Sequence, residues 1–216
     1  MRFENTSVYN IYNAILGARN PMNSWDKSDS VFNGFNGKIE NTVIGKNDLE
    51  LMQKLIKSGS EHRKFMRQIF VSVDITAPLY WWKEFDTYKV GTVANSTSTM
   101  HKLASTPITI DCFEMDDFED CKDDSNVYVS AIWAESITRL EKLRQTYNET
   151  KDKRYWKELI RLLPESWLQK RTITMNYENI LNMYRQRKNH KLTEWSKSFC
   201  DWVKTLPYAE ELICLE

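Results

Sequence analysis

Residues 163–195 read LPESWLQKRTITMNYENILNMYRQRKNHKLTEW, and the reading of this stretch decides the fold. Pro164 ends whatever helix precedes it, because it has no amide hydrogen to continue the ladder. Residues 170–175 read as a short strand. A helix from about 176 to 187 follows directly, and another from about 192 to 205 closes the chain. Asn176 and Asn182 stand six apart on or near that first helix, with Arg187 five further on. Amides and a guanidinium in that order can read a planar ring with several acceptors. The cationic run Arg185–Lys191 equally suits a solvated helix end, where cations complement the helix dipole.

Working outward, Trp133, Ile137, Leu140, Leu143 and Tyr147 step at three or four residues and predict an amphipathic helix. A second helix is expected at about 151–162. Before them, residues 114–124 (EMDDFEDCKDD) hold seven acids and one lysine, and 114–126 is expected as an acidic surface loop. The run lacks the regular spacing and turn glycine of a calcium loop. Residues 92–99 (TVANSTST) suit no regular element. Pro78 suits the first turn of a helix over 78–89, and a strand is expected around 68–75. Asn47 with Glu50 predicts a helix start, Leu49, Met52, Leu55 and Ile56 its apolar stripe, and Gly59 its end. Residues 1–45, rich in Asn, Ser and Gly, read as irregular. The expectation is one α+β domain over 1–216, with a central sheet flanked by helices.

The 216 residues carry 30 Lys+Arg against 30 Asp+Glu. Zero net charge argues against a nucleic-acid coat, which needs a basic excess. No apolar run reaches the roughly 20 residues of a membrane span. The N-terminus lacks the pattern of a secretory signal, so a cytoplasmic protein with reduced thiols is expected. Cys112, Cys121, Cys200 and Cys214 form no CxxC pair, and the three histidines are scattered, so no metal site is expected. Eight Trp and ten Tyr are the compositional excess. Trp81 and Trp82 are adjacent and cannot share a helix face, so one is expected in the core and the other at a flat slot or a subunit contact. Trp25, Trp133, Trp156 and Trp202 are expected in core or interface packing.

Neither a P-loop, a GxGxxG, a GxSxG nor an HExxH is present. The second informative block is 58–102. It runs from Glu61-His62 through a strand to Ala77-Pro78, an aromatic helix, Thr87-Tyr88-Lys89 and a hydroxyl-rich loop. Hydroxyls and amides in such a loop can hold a phosphate that Lys89 would neutralise.

Together the two blocks resemble the flavin-dependent thymidylate synthases, the ThyX family. That family carries a Glu-His, a strand, an Ala-Pro, a helix ending in Arg-His-Arg and, after seven or eight residues, a Ser. Here eight residues separate Lys89 from Ser98. Leu163-Pro164, Asn176, Asn182 and Arg187 follow the family's downstream spacing, and Glu194-Trp195 lies near its Ala-Gln-x-Glu-Ile stretch, offset by about one residue. The resemblance implies a ThyX-like mixed α/β protomer, assembled as a homotetramer with active sites between subunits. It implies FAD as cofactor, with NADPH and methylenetetrahydrofolate as co-substrates and a pyrimidine nucleotide such as dUMP as substrate. By the same resemblance Arg187 is the catalytic arginine on the pyrimidine. Ser98, Glu84 and Arg161 would join it in binding substrate. His62, Tyr88, Lys89, Asn176 and Asn182 would face the flavin. The departures are Thr87-Tyr88-Lys89 in place of Arg-His-Arg, and Met100 and Glu178 where the family has arginines.

Three functions stay open at this level. The first is reductive C5 methylation, or a related one-carbon modification, of a pyrimidine deoxynucleotide. The second is a ThyX-fold protein that binds a nucleotide or a protein without turnover. The third is a nucleic-acid module using Arg154, Arg161, Lys170, Arg171 and the 185–191 run, against which the neutral charge argues.

Overall fold

The structure is a computed structural model and describes residues 1–215. In chain order the elements are β1 (Arg2–Tyr9), α1 (Ile11–Arg19), β2 (Val31–Asn36), β3 (Ile39–Val43), α2 (Lys46–Lys57), β4 (Phe70–Pro78), α3 (Leu79–Phe85), β5 (Val93–Ser96), α4 (Thr99–Lys102), α5 (Val129–Thr150), α6 (Lys153–Arg161), β6 (Leu168–Asn176) and α7 (Tyr177–Arg187). A π-helical turn (Glu194–Phe199), α8 (Cys200–Lys204) and α9 (Ala209–Leu212) complete it. Among the described residues six strands form one mixed sheet in the order β2-β3-β1-β4-β6-β5, with helices flanking it, an α+β architecture as the sequence predicts. No helix among the described residues is long and apolar enough to cross a membrane.

Residues 1–45 are where the expectation fails, because they form β1, α1 and a β2–β3 hairpin. The overlooked signal is Asn36-Gly37 between two β-prone runs. Gly37 has φ 59°, the left-handed value that a two-residue hairpin turn requires. Pro78 ends β4 rather than opening a helix, and α3 is confined to Leu79–Phe85. Residues 92–99 hold the edge strand β5 and lead into α4. The helix expected over 192–205 is π-helical at first, then α-helical.

The chain forms two compact units. One comprises Met1, Thr76–Glu84 and Ser96–Arg171, and the other comprises Arg2–Ile75, Phe85–Asn95 and Thr172 onward. In the first, α5 and α6 cover a core of Leu103, Ile108, Phe113, Leu140 and Leu159, against which Trp133 and Trp167 pack. Trp81 and Trp82 are both fully buried here, edge to face at 4.9 Å, which overturns the one-in, one-out expectation. The indole of Trp82 donates to the Gln169 carbonyl at 3.0 Å, and the Arg171 guanidinium lies 4.2 Å over its ring, so the polar atom is satisfied inside. The acidic run is mainly exposed and ordered by local bonds: Asp123 accepts from the amides of Ser125 and Val127, and Asp120 accepts from Ser130.

Glu141 on α5 accepts from Arg144 Nε and Nη2 at 2.7 Å each and from the Ile108 amide at 2.8 Å. The Arg144 hydrogen bonds, opposed by burial, hold its carboxyl down at about 2 from the usual 4.5. A depressed carboxylate stabilises the fold fully above about 4.5, and that contribution is lost as pH falls toward about 2. Glu141→Gln is therefore expected to cost about 1–2 kcal/mol at pH 7. In thermal melts run across pH, the gap to wild type should close progressively below pH 4.5.

In the second unit the buried side chains of α2 are Asp48, Met52 and Ile56, spaced four apart on one stripe. A carboxylate thus occupies an apolar face. It is met there by the Arg19 Nε at 2.6 Å, the hydroxyls of Ser28 and Ser30 at 2.8 and 2.6 Å, and the amides of Asp29 and Ser30 at 3.1 Å each. The helix is capped from outside: Asp29 accepts from the Asn47 and Asp48 amides, so Asn47 is not the cap that the sequence predicts.

Candidate functional site

Helix α7 organises the second unit's share of the predicted residues. Asn176 ends β6 and caps α7. Its Oδ1 accepts from the Asn179 amide at 3.0 Å, and Asn179 Oδ1 accepts from the Asn176 amide at 3.2 Å, a reciprocal capping box. Asn179 also donates to the Val90 carbonyl at 2.7 Å. Gly91 follows with φ 77°, and a Cβ there would meet Asn179 Oδ1 at 3.0 Å and Asn176 Nδ2 at 3.1 Å. The segment that carries Tyr88 and Lys89 is therefore pinned against the start of α7 by a glycine that no other residue replaces without strain.

At the other end of α7, Arg187 donates from Nε to the Tyr88 hydroxyl at 2.9 Å. Its guanidinium lies 4.9 Å from the ring centroid of the fully buried Trp195 and 5.7 Å from that of Tyr88. Tyr88 and Trp195 meet edge to face at 6.3 Å, and the Tyr88 hydroxyl donates on to Gln186 Oε1 at 2.9 Å. A planar cation against two aromatic faces is held both electrostatically and by packing.

In the first turn of α7, the buried Glu178 receives Arg63 Nε at 3.0 Å and also pairs with Arg67 Nε. Arg63 reaches on to Asn182 Oδ1 at 3.2 Å. Burial pushes the Glu178 carboxyl up, but the hydrogen bonds from Arg67 and Arg63 outweigh it and hold it below the usual range. Two guanidinium groups on one carboxylate leave these three side chains with a net positive charge. Arg63 and Arg67 were not singled out from sequence; their signal is a pair of cations four apart just after Glu61-His62.

His62 and Lys89 are exposed, Asn182 and Tyr88 half-buried. Of the predicted residues in this unit, the structure thus brings Tyr88 to Arg187 and Asn182 to the Arg63–Glu178 pair, while Asn176 is engaged in the cap. The first unit carries the remaining three. Ser98 caps α4, with its Oγ 2.7 Å from His101 Nδ1. Glu84 is half-buried on α3. Arg161 is exposed at the end of α6 and paired with Glu158. Of the cations invoked for nucleic acid, Arg154 pairs with Asp152 and Arg161 with Glu158 at exposed positions, and Arg171 stacks on Trp82.

No protein-family model and no curated protein matches the chain. Solved structures do match it in fold. The flavin-dependent thymidylate synthase ThyX of Helicobacter pylori, complexed with FAD and dUMP, superposes with a TM-score of 0.69 at 18% identity over 100% of both chains. A second structure of Thymidylate Synthase X from Helicobacter pylori, with FAD and dUMP, gives 0.71 at 17% identity over 99% of this chain and 97% of that one. The likeness establishes a ThyX-like fold along the whole length.

Proposed function

We propose that this protein is a reductive one-carbon transferase of the flavin-dependent thymidylate synthase type, acting on C5 of a pyrimidine deoxynucleotide such as dUMP. The observation that carries the reading is Arg187, a planar guanidinium fixed against Tyr88 and Trp195 on a fold that the ThyX structures share end to end. The chemistry of the donor set fits the ligands. Arg63, Arg67 and Lys89 offer cations suited to a pyrophosphate, and Asn182 offers an amide suited to a ring edge. His62 and Tyr88 add flat rings.

Bound flavin would supply hydride, with the carbon drawn from methylenetetrahydrofolate and the reducing equivalents from NADPH. The chain's own part is position and charge. Arg187 would bind the pyrimidine and favour the negative charge that develops on its carbonyls. Ser98, Glu84 and Arg161 would hold the nucleotide, in a cytoplasmic homotetramer whose sites form between subunits.

The test is a titration of purified protein with FAD, read in the visible flavin bands, followed by NADPH oxidation with and without dUMP. A saturable yellow complex and oxidation that depends on dUMP and methylenetetrahydrofolate are expected. A protein that carries no flavin absorbance once unbound FAD has been removed by gel filtration overturns the reading. The carboxylate at Glu178 and the engagement of Asn176 in the helix cap favour one alternative, a nucleotide-binding module without turnover. That alternative is met by calorimetric dUMP binding without any NADPH oxidation.

A further inference from the structure

The β2–β3 hairpin carries a feature that the proposed transferase does not use. The pairing of β2 with β3 slips between Phe32 and Phe35: Phe32 is opposite Thr42, but Phe35 is opposite Glu40. One extra residue is thus accommodated at Asn33-Gly34, where Gly34 takes φ 81°. In a regular strand, residues three apart point to opposite faces. The bulge cancels that alternation. Thr42 and Glu40 are two apart on β3 and share a face, with the Thr42 hydroxyl donating to Glu40 Oε1 at 2.6 Å. Phe32 and Phe35 therefore stand on that same face and meet edge to face at 6.0 Å.

Two further rings border the same open concavity. Tyr12, on the first turn of α1, lies 6.0 Å from Phe32 at 38°, and Tyr9, at the end of β1, lies 6.3 Å from Phe35 at 53°. Together with Asn10, Asn13 and Glu40 these rings line a cavity of about 370 Å³. Tyr9, Phe32 and Phe35 are 40, 46 and 55% exposed, unusual for large side chains that converge on one concavity. Its wall is held in place. Glu40 accepts from the Ile11 and Tyr12 amides at 3.0 and 2.7 Å, and Asn10 bridges Asn13 to the Gln68 carbonyl. Glu40, 5% exposed, is the one charged residue in the lining, and none of the lining residues is a cation.

We infer that this cavity is a binding site for an alkylammonium cation, a quaternary or methylated ammonium group. Several non-parallel aromatic faces present the negative side of their quadrupoles to a cation, and methyl groups on nitrogen bury against the same faces. The Glu40 carboxylate adds a fixed negative potential at the wall. A neutral apolar ligand would gain the burial but not the electrostatic attraction, which is what distinguishes this site from a simple greasy groove. The inference stands independently of the transferase reading.

The experiment is calorimetric titration of the full chain with choline, with tetramethylammonium and with 3,3-dimethyl-1-butanol, the neutral isostere of choline. Both cations are expected to bind saturably, and the isostere at least about tenfold more weakly. Phe35→Leu keeps a half-exposed apolar side chain and is expected to weaken choline by about tenfold while leaving the melting temperature near that of wild type. A peptide carrying trimethyllysine, run beside its unmethylated form, decides the source: tighter binding than choline, confined to the methylated peptide, assigns the cation to a protein side chain. Equal binding of choline and its isostere, or no saturable binding of any cation, overturns the assignment without need of a variant.

Discussion

Replacing Arg187 by alanine is expected to lower dUMP-dependent NADPH oxidation by about 10²–10³-fold, the usual effect of removing one donor that faces developing charge. The fold should survive. Arg187 is in the last turn of α7 and half-buried, and loss of its bond from Nε to the Tyr88 hydroxyl costs about 1 kcal/mol. Lysine is not a substitute, because the geometry uses a flat guanidinium against Trp195 at 4.9 Å and a point charge on a flexible stem cannot reproduce it. Arg187→Lys should therefore fall nearly as far as Arg187→Ala. Steady-state rates measured at saturating FAD, beside a calorimetric dissociation constant for dUMP, check both variants. An alanine variant with unchanged turnover and unchanged dUMP affinity removes Arg187 from the site.

The second large effect is on stability. Asp48→Ala is expected to cost about 3–5 kcal/mol, because it strands the buried Arg19 without its partner. Arg19 is 4% exposed and Asp48 fully buried, so water does not take the missing carboxylate's place. The hydroxyls and amides of Ser28, Asp29 and Ser30 lose their acceptor together, and these residues also fix Gly45 at the start of α2 through Ser30 Oγ at 3.0 Å. Burial raises the Asp48 carboxyl, but hydrogen bonds from Ser30, Ser28 and Arg19 outweigh it, so its pKa lies below the usual 3.8. The sign follows from that direction. The stabilisation is complete above about 3.8 and is lost as pH falls through the lower, folded value. Urea midpoints for wild type and Asp48→Ala should therefore lie far apart at pH 7 and draw together at acid pH. A midpoint at pH 7 within experimental error of wild type would exclude the network as a determinant of stability.

Much of the architecture is legible in local pattern. The strand at 170–175, the helix at 176–187, the paired helices around 133–162 and the strand near 68–75 all appear with shifted ends, since each carries a local signal of its own. The N-terminal 45 residues were not legible. Their elements are short, and their order is set by partners outside the local helical or strand period: β3 pairs in parallel with β1, and Glu40 of β3 caps α1 from 29 residues away. A segment whose hydrogen bonds are closed by distant groups has little local signal. Trp81 and Trp82 were misjudged for a related reason. Adjacency on a helix forbids a shared face, but it does not forbid two buried faces, and the second indole is tolerated because Gln169 accepts its proton.

The sequence by itself determined the fold class and the spacing of Asn176, Asn182 and Arg187, because helical period and capping chemistry act over a few residues. Only the tertiary structure decided what those residues touch. It committed Asn176 to a helix cap, gave Asn182 to Arg63, and closed Tyr88 on Arg187 across about a hundred residues of chain. It also set Glu178 between the guanidinium groups of Arg63 and Arg67, since a carboxylate's meaning depends on which cations fold against it.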